Sequence, residues 1–231
     1  MRVYYDFHIH TCLSPCGDDD MTPNNIVNMS ILKGLDIIAV TDHNCVGNVK
    51  ACQDAAKGTN LVVVGGMEVE TSEEIHMITL FEDLDGLFKL EEIISKSLPQ
   101  MKNKSEIFGN QVLMDSEDKF IGYDDRFLIT ASSIDVITLY KYVSELGGII
   151  FPAHIDKTSY SIISSLGSIP PELRFSSVEV KKSAEGIDIP DDLLVIHNSD
   201  AHYLWDISEK TSYIDVDSHN IMDVLSILKQ K

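Results

Sequence analysis

The chain has 231 residues, 44% of them apolar and 24% charged, an ordinary composition for a globular α/β unit able to bury a normal core. A formal net charge of −19 with only three arginines, Arg2, Arg126 and Arg174, offers no basic stripe, so long nucleic acid is not an expected partner. No apolar run approaches the roughly 18–20 residues of a membrane span. The start MRVYYDFHIH lacks a signal-peptide core, so a cytoplasmic location without a membrane partner is the default expectation.

In chain order, β-branched and apolar runs alternate with helical patterns, the signature of an α/β fold with a mostly parallel sheet. The first strand, Val3–His8, runs into His8-x-His10. Cys12 and Cys16 follow, and with Cys45 and Cys52 they form no C-x-x-C pair, so four reduced thiols are expected. Asp18, Asp19 and Asp20 precede a helix over Thr22–Lys33, with Thr22 as N-cap and Pro23 at its first position. The buried strand Asp36–Thr41 ends abruptly on Thr41-Asp42-His43-Asn44. A helix over Val46–Lys57 leads to the strand Leu61–Val69. There Gly65-Gly66 permits close backbone approach and Glu68 arrives near the strand end, with Glu70 as a rival on the same face.

His76 opens the strand His76–Phe81, and a helix spans Leu87–Gln100. Residues Lys102–Ser132 break the rhythm: NQVLMDSEDKFIGY reads as two short strands about an acidic turn, a hairpin-bearing insertion. No linker flanks it, so residues 1–231 are expected to form one domain. A helix over Ile134–Leu146 and a strand over Gly148–Pro152 lead to His154. Then come a helix over Tyr160–Leu166, strands over Ser177–Val180 and Leu193–His197, and the segment SDAH with Asp200-x-His202. A last helix, Ile221–Lys229, is expected to pack on the outside.

The chemistry-bearing residues fall where strands end, except His76, which opens its strand or stands one residue off the expected boundary, and side chains at the carboxyl ends of barrel strands converge on one mouth. In His8-x-His10 and Asp200-x-His202 the two residues share a strand face, so both reach one ion. Six of the eight histidines lie in these segments, leaving His197 and His219 as bystanders. Mixed imidazole and carboxylate donors favour Mn, Fe or Zn over Ca or Mg, and the candidate ligands are too many for one ion.

HIHT, an aspartate before a Thr-Pro helix start, TDHN, GMEVET with a following histidine, PAHID and SDAH together resemble the PHP family, the polymerase and histidinol phosphatase domains. The resemblance runs from Phe7 to Tyr203 and implies a distorted (β/α)7 barrel, TIM-barrel-like, carrying the insertion. It implies two or three divalent ions. His8, His10, Glu68 and Asp200 would hold the first, and Glu68 would bridge to a second held by His76 and His154. Asp18, His43 and His202 would hold a third, with Asp19 or Asp20 as substitutes for Asp18. Glu68, Asp200 and His202 would also act in catalysis.

The implied activity is hydrolysis of a small phosphate ester, a phosphomonoester or nucleotide, by a hydroxide shared between ions. The alternatives are a phosphodiesterase or exonuclease on short nucleic acid, and a non-catalytic metal-binding module. Lys157 and Arg126 are the expected substrate contacts, with Lys181 and Lys182 behind them. Asp42 is expected to orient a ligating histidine, and Trp205 is a candidate for stacking on a base. No G-x-S-x-G element argues for a serine nucleophile.

Overall fold

The computed structural model describes residues 1–217, 220 and 222–229. His219 and Ile221 therefore lie outside the described residues. The chain opens with β1 (Arg2–Ile9), α1 (Pro23–Leu32), β2 (Ile37–Val40), α2 (Val49–Ala55), β3 (Val62–Glu70) and β4 (His76–Phe81). It continues with α3 (Leu84–Ser97), α4 (Ser105–Phe108), β5 (Val112–Met114), β6 (Phe120–Tyr123), α5 (Val136–Glu145) and β7 (Ile149–Pro152). The last elements are α6 (Ile162–Leu166), β8 (Ser177–Glu179), β9 (Leu194–Ile196), β10 (Tyr213–Asp215) and α7 (Asp223–Leu228).

Six strands form one curled sheet in the order β10-β1-β2-β3-β4-β7, and β8 pairs with β9 in parallel. An Ile9–Ala201 bridge brings the segment after β9 back to β1, so the seven expected strands surround one interior. The expected barrel is present, with one departure. β4 runs antiparallel to both β3 and β7, because the five residues between β3 and β4 allow only a tight hairpin, whereas a parallel return needs a crossover. The reversal puts the first residue of β4, His76, at the end of the barrel where the parallel strands finish.

Side-chain alternation divides the core in two. Val64, Ile78, Leu80, Ile149 and Phe151 face one buried cluster inside the barrel. Ile38, Val40, Val63 and Met77 face a second, shared with Ile26, Val49, Leu87, Leu90 and Leu139 of the surrounding helices. Glu68 and His76 keep the inner phase of their strands. β1 changes phase: its register with β2 shifts between Asp6 and Ile9, so Phe7 sits in the inner cluster while Ile9 joins the outer one. Gly66 is also inward, where a Cβ would lie 2.6 Å from the Thr79 carbonyl oxygen. Val224, Leu225 and Leu228 of α7 join the inner cluster, so the last helix plugs the barrel rather than covering its outside.

Thr22 caps α1 with Pro23 in the first turn, and Asp83, Asp135 and Ser161 cap α3, α5 and α6. β5 and β6 form the hairpin of the insertion. Asp118 in its turn accepts hydrogen bonds from Thr22 Oγ1 at 2.7 Å and from the Asn24 amide at 2.9 Å, strapping the hairpin to the start of α1. All four cysteines are free.

Candidate metal centre

Glu68 lies at the centre of the mouth, 1% exposed. Its Oε1 stands 2.9 Å from His76 Nδ1, 3.2 Å from His8 Nε2 and 3.4 Å from His154 Nε2. Its Oε2 stands 2.9 Å from His43 Nδ1 and 3.3 Å from His10 Nε2. Neither oxygen has a hydrogen-bond partner, nor does His154 Nδ1. A buried carboxylate without donors is costly. Ring nitrogens gathered around it in no hydrogen-bonding geometry have the arrangement of ligands around a cation. Asp200 completes the group, with Oδ1 3.4 Å from His8 Nε2 and 3.5 Å from His10 Nε2.

Three sets of donors converge to within 4.8 Å: His8, His10 and Asp200; His43, Glu68 and His76; and His10, His43 and His202. The three sets hold seven of the nine sequence-expected ligands, and His154, in no set but 3.4 Å from Glu68 Oε1, makes an eighth at the same mouth; the donor set fits divalent ions. The grouping differs from the expected one, since His43 joins Glu68 and His76. Asp18 belongs to none of the three sets. Its amide donates to the His202 carbonyl at 2.9 Å, while its Oδ1 accepts from the Asp20 amide. Glu70, the rival of Glu68, stands 3.9 Å from His76 Nε2, and burial lifts its pKa to about 7.

Two of the donors are held on strained backbone: His154 has φ 29° and Asp200 φ 50°. A left-handed conformation at a non-glycine residue costs on the order of 1–3 kcal/mol, and such strain gathers at functional sites.

Hydrogen bonds behind the mouth fix which nitrogen faces inward. Asp42 Oδ1 accepts from Ser14 Oγ at 2.7 Å, so the Ser14 oxygen is free to accept from His10 Nδ1 at 2.9 Å. Asp42 therefore acts on His10 through Ser14, a residue the sequence reading passed over. His202 Nδ1 donates to the Asp200 carbonyl at 3.0 Å, which leaves Nε2 as its lone-pair nitrogen. Glu179, also missed, is fully buried and accepts from His8 Nδ1 at 3.0 Å. Its only sequence signal is a single glutamate ending the apolar run of β8.

The electrostatics split the histidines. Burial disfavours the imidazolium at each of four positions. At His76 it prevails against Glu68, helped by His43 and His154, and the pKa falls to about 4. At His202 burial and His10 bring it to about 3 against Asp200. At His8 the carboxylates of Glu179, Glu68 and Asp200 outweigh burial, and at His43 Glu68 and Cys16 do, so both stand well above the ordinary value. Burial would raise Glu68, yet His76, His8 and His43 hold it well below the usual carboxylate range; His8 and His10 do the same for Asp200.

Lys157 Nζ reaches Asp200 Oδ2 at 2.7 Å and Lys181 Nζ reaches it at 3.0 Å. Both line a cavity of about 420 Å³ with Asp156, Thr158, Ser159 and Lys182. Asp156 shapes this rim by accepting the amides of Lys181 and Lys182 at 2.8 and 2.7 Å. Arg126 is elsewhere: its Nε donates to Asp124 at 3.0 Å and its Nη2 to Glu91 at 3.1 Å. Trp205 stacks on Tyr203 at 5.0 Å, in a turn whose Trp205 carbonyl accepts from Lys33 at the carboxyl end of α1. That helix end is the one remote from the mouth. His197 Nδ1 bonds locally to the Val180 carbonyl at 2.7 Å.

The PHP domain model matches residues 6–165, more than half of the chain. The chain belongs to the PHP domain family. Membership agrees with the phosphoester hydrolase expected from the motifs. An uncharacterized protein of Methanocaldococcus jannaschii is 34% identical over 100 residues, 39% of this chain and 58% of that protein. A 5'-3' exoribonuclease of Haemophilus influenzae is 28% identical over 83 residues, 35% of this chain and 29% of the enzyme. The match thus spans 58% and 29% of these two relatives.

Endonuclease Q of Pyrococcus furiosus superposes with a TM-score of 0.62 at 16% identity, covering 99% of this chain and 56% of that one, a likeness that establishes the fold. Endonuclease Q has also been seen in complex with a 27-mer duplex. The expectation that long nucleic acid is excluded is therefore corrected: the same fold takes a duplex, and one relative is an exoribonuclease. The reasoning failed because a net charge averages over the whole surface, whereas a substrate meets the local field. Here three lysines line one cavity beside Asp200. Among the described residues, no helix is long and apolar enough to cross a membrane.

Proposed function

We propose that this PHP domain hydrolyses phosphodiester bonds in nucleic acid at a site holding two or three divalent ions of the Mn, Fe or Zn type. This reading replaces the small phosphomonoester as the first choice, and the exoribonuclease relative supports it. The observation that carries the metal site is Glu68: both of its buried oxygens lack hydrogen-bond partners, and five histidine nitrogens surround them.

His8, His10, His43, Glu68, His76, His154, Asp200 and His202 are the proposed ligands, with Asp18 beside His202. Ions held there supply Lewis acidity toward a phosphoryl oxygen and lower the pKa of a water from 15.7 toward about 7. The chain's own groups do the rest. The neutral rings of His76 and His202 present lone pairs at neutral pH, and Ser14 holds the His10 proton on Nδ1. Glu68 and Asp200, both ionised and buried, offset cationic charge. Lys157 and Lys181 are placed to bind phosphate oxygens beside Asp200 as charge-assisted donors, and the cavity they line offers the chain of phosphates a path out of the mouth.

The test is hydrolysis, with added Mn, of an RNA oligomer, an aryl phosphodiester and an aryl phosphomonoester, with His10→Ala as control. Cleavage of both diesters in preference to the monoester, lost in the variant, is the expected result. Turnover of the monoester alone would return the reading to a small-ester phosphatase. Turnover that persists in His10→Ala would overturn the site.

A further inference from the structure

We infer that Glu179 is a positioning residue for the first ion: it fixes the proton of His8 on Nδ1 and thereby turns Nε2 toward Glu68 and Asp200 as a ligand. The inference rests on the metal-site reading and not on the identity of the substrate. The carboxylate ends β8 and is fully buried. It meets three donors. Oε1 accepts from the His154 amide at 3.0 Å, Oε2 accepts from Asn198 Nδ2 at 2.7 Å, and both face His8 Nδ1, at 3.1 and 3.0 Å.

The orientation of Asn198 is fixed independently, because its Oδ1 accepts the Phe7 amide at 2.8 Å. Its NH2 group must then point at Glu179. Each oxygen of Glu179 therefore already faces a group that can only donate, and the hydrogen shared with His8 belongs on the ring. His8 Nε2 is left to face the mouth, 3.1 Å from His10 Nε2, so that a single hydrogen at most fits between the two nitrogens. Two ring nitrogens that close require a cation or a shared proton between them.

Among the proposed histidine ligands the partners behind the ring differ. His10 leans on the neutral hydroxyl of Ser14, His202 on a backbone carbonyl, and His154 Nδ1 on nothing. Of these four rings, His8 has a carboxylate hydrogen-bonded to the nitrogen turned away from the mouth. A carboxylate behind a ligating imidazole sets the tautomer and raises the basicity of the distal nitrogen. Glu179 has a second task from the same place. Asn198 and Glu179 join the ends of β7, β8 and β9 to β1, where the curled sheet has no ladder. Its amide acceptor role also holds His154 in its left-handed backbone.

Glu179→Gln separates the two tasks from mere filling of space. Glutamine has the same size but one oxygen for three donors. Its NH2 group, set against His8, forces Nδ1 to accept and sends the proton to Nε2, the nitrogen meant for the ion. Metal titration of the metal-free chain with Mn, followed by calorimetry, reads the affinity without reference to catalysis. The expected result is a loss of about 10–100-fold for the tightest ion, with thermal unfolding of the metal-free variant still cooperative. Asn198→Ala is the comparison, since it breaks the seam without touching His8, and its metal affinity is expected to stay within about threefold of wild type.

Equal affinity in Glu179→Gln and wild type, or a loss no larger than that of Asn198→Ala, would overturn the inference and leave Glu179 as seam glue. If Glu179→Gln does not fold, the nitrogen chemical shifts of His8 in the metal-free wild-type chain decide: a proton on Nδ1 supports the role, and a proton on Nε2 alone refutes it. A wild-type chain that binds no metal would instead remove the metal-site reading itself, whatever the variants do.

Discussion

Arg126→Ala decides between two jobs for the one arginine near the insertion. In the structure its guanidinium spans Asp124 and Glu91, tying the segment after β6 to α3. Its side chain is 32% exposed, against 11% for Asp124 and 22% for Glu91. Removing one member of a buried pair costs about 3–5 kcal/mol, and an exposed pair contributes about 0–1 kcal/mol. The intermediate exposure points to about 2 kcal/mol. For a chain of this size that lowers the thermal midpoint by roughly 4–8 °C.

The pH dependence has a definite sign. Burial would raise the Asp124 carboxyl, but Arg126 outweighs it and the pKa lies below the ordinary value. A depressed carboxylate stabilises fully above its unfolded value of about 4 and loses that contribution as pH falls through the folded one. The gap between wild type and Arg126→Ala should be complete at neutral pH and close below about pH 4. Differential scanning fluorimetry across pH, with Michaelis kinetics at neutral pH, checks both. An unchanged midpoint with a Michaelis constant raised tenfold or so would refute the anchoring argument and restore Arg126 as a substrate contact.

Asp118→Ala should release the hairpin from α1, since the carboxylate accepts three hydrogen bonds, from Thr22 Oγ1, the Asn24 amide and Asn24 Nδ2. A loss of about 1–3 kcal/mol is expected, with faster proteolytic nicking in the turn at 115–118; an unaltered digest would mean the strap carries no load. Ser14→Ala removes the hydroxyl that links Asp42 to His10 Nδ1, and Mn affinity should fall about tenfold in calorimetric titration. Lys157→Ala and Lys181→Ala should each raise the Michaelis constant for a diester by about 10–100-fold, the worth of one charge-assisted hydrogen bond. A fall in kcat at constant KM would instead show that these lysines serve only to orient Asp200.

Strand ends and caps were legible because local chemistry writes them. Apolar runs of strand length placed all seven barrel strands, and Thr22-Pro23 marked the start of α1 to the residue. The acidic turn between QVLM and KFIGY marked the hairpin. What escaped has a tertiary cause in each case. β10 is three residues long and exists by pairing with β1, and α4 is a single turn. The inward placement of α7 depends on an open barrel floor that no periodicity records. Nor does the i, i+2 argument for His8 and His10 reveal the phase slip that lets Phe7 and His8 both face inward.

The two ways of finding a site residue failed differently. The proposed ligands are mostly polar residues that interrupt apolar strands, and eight of the nine that the family resemblance implied come together in the fold. Residues hydrogen-bonded behind a proposed ligand carry no such mark. Ser14 sits in a loop rich in small polar residues, and Glu179 resembles any half-buried strand glutamate until the fold puts His8, His154 and Asn198 around it. His76 shows the converse. Its position at the beginning of a strand looked wrong for a parallel barrel, and it was the assumed strand direction that was wrong. A short β3–β4 hairpin reverses β4, so the first residue of that strand meets the last residues of its neighbours. In a mixed barrel the useful question is therefore not which end of a strand a histidine occupies, but on which side of the sheet the preceding turn lies.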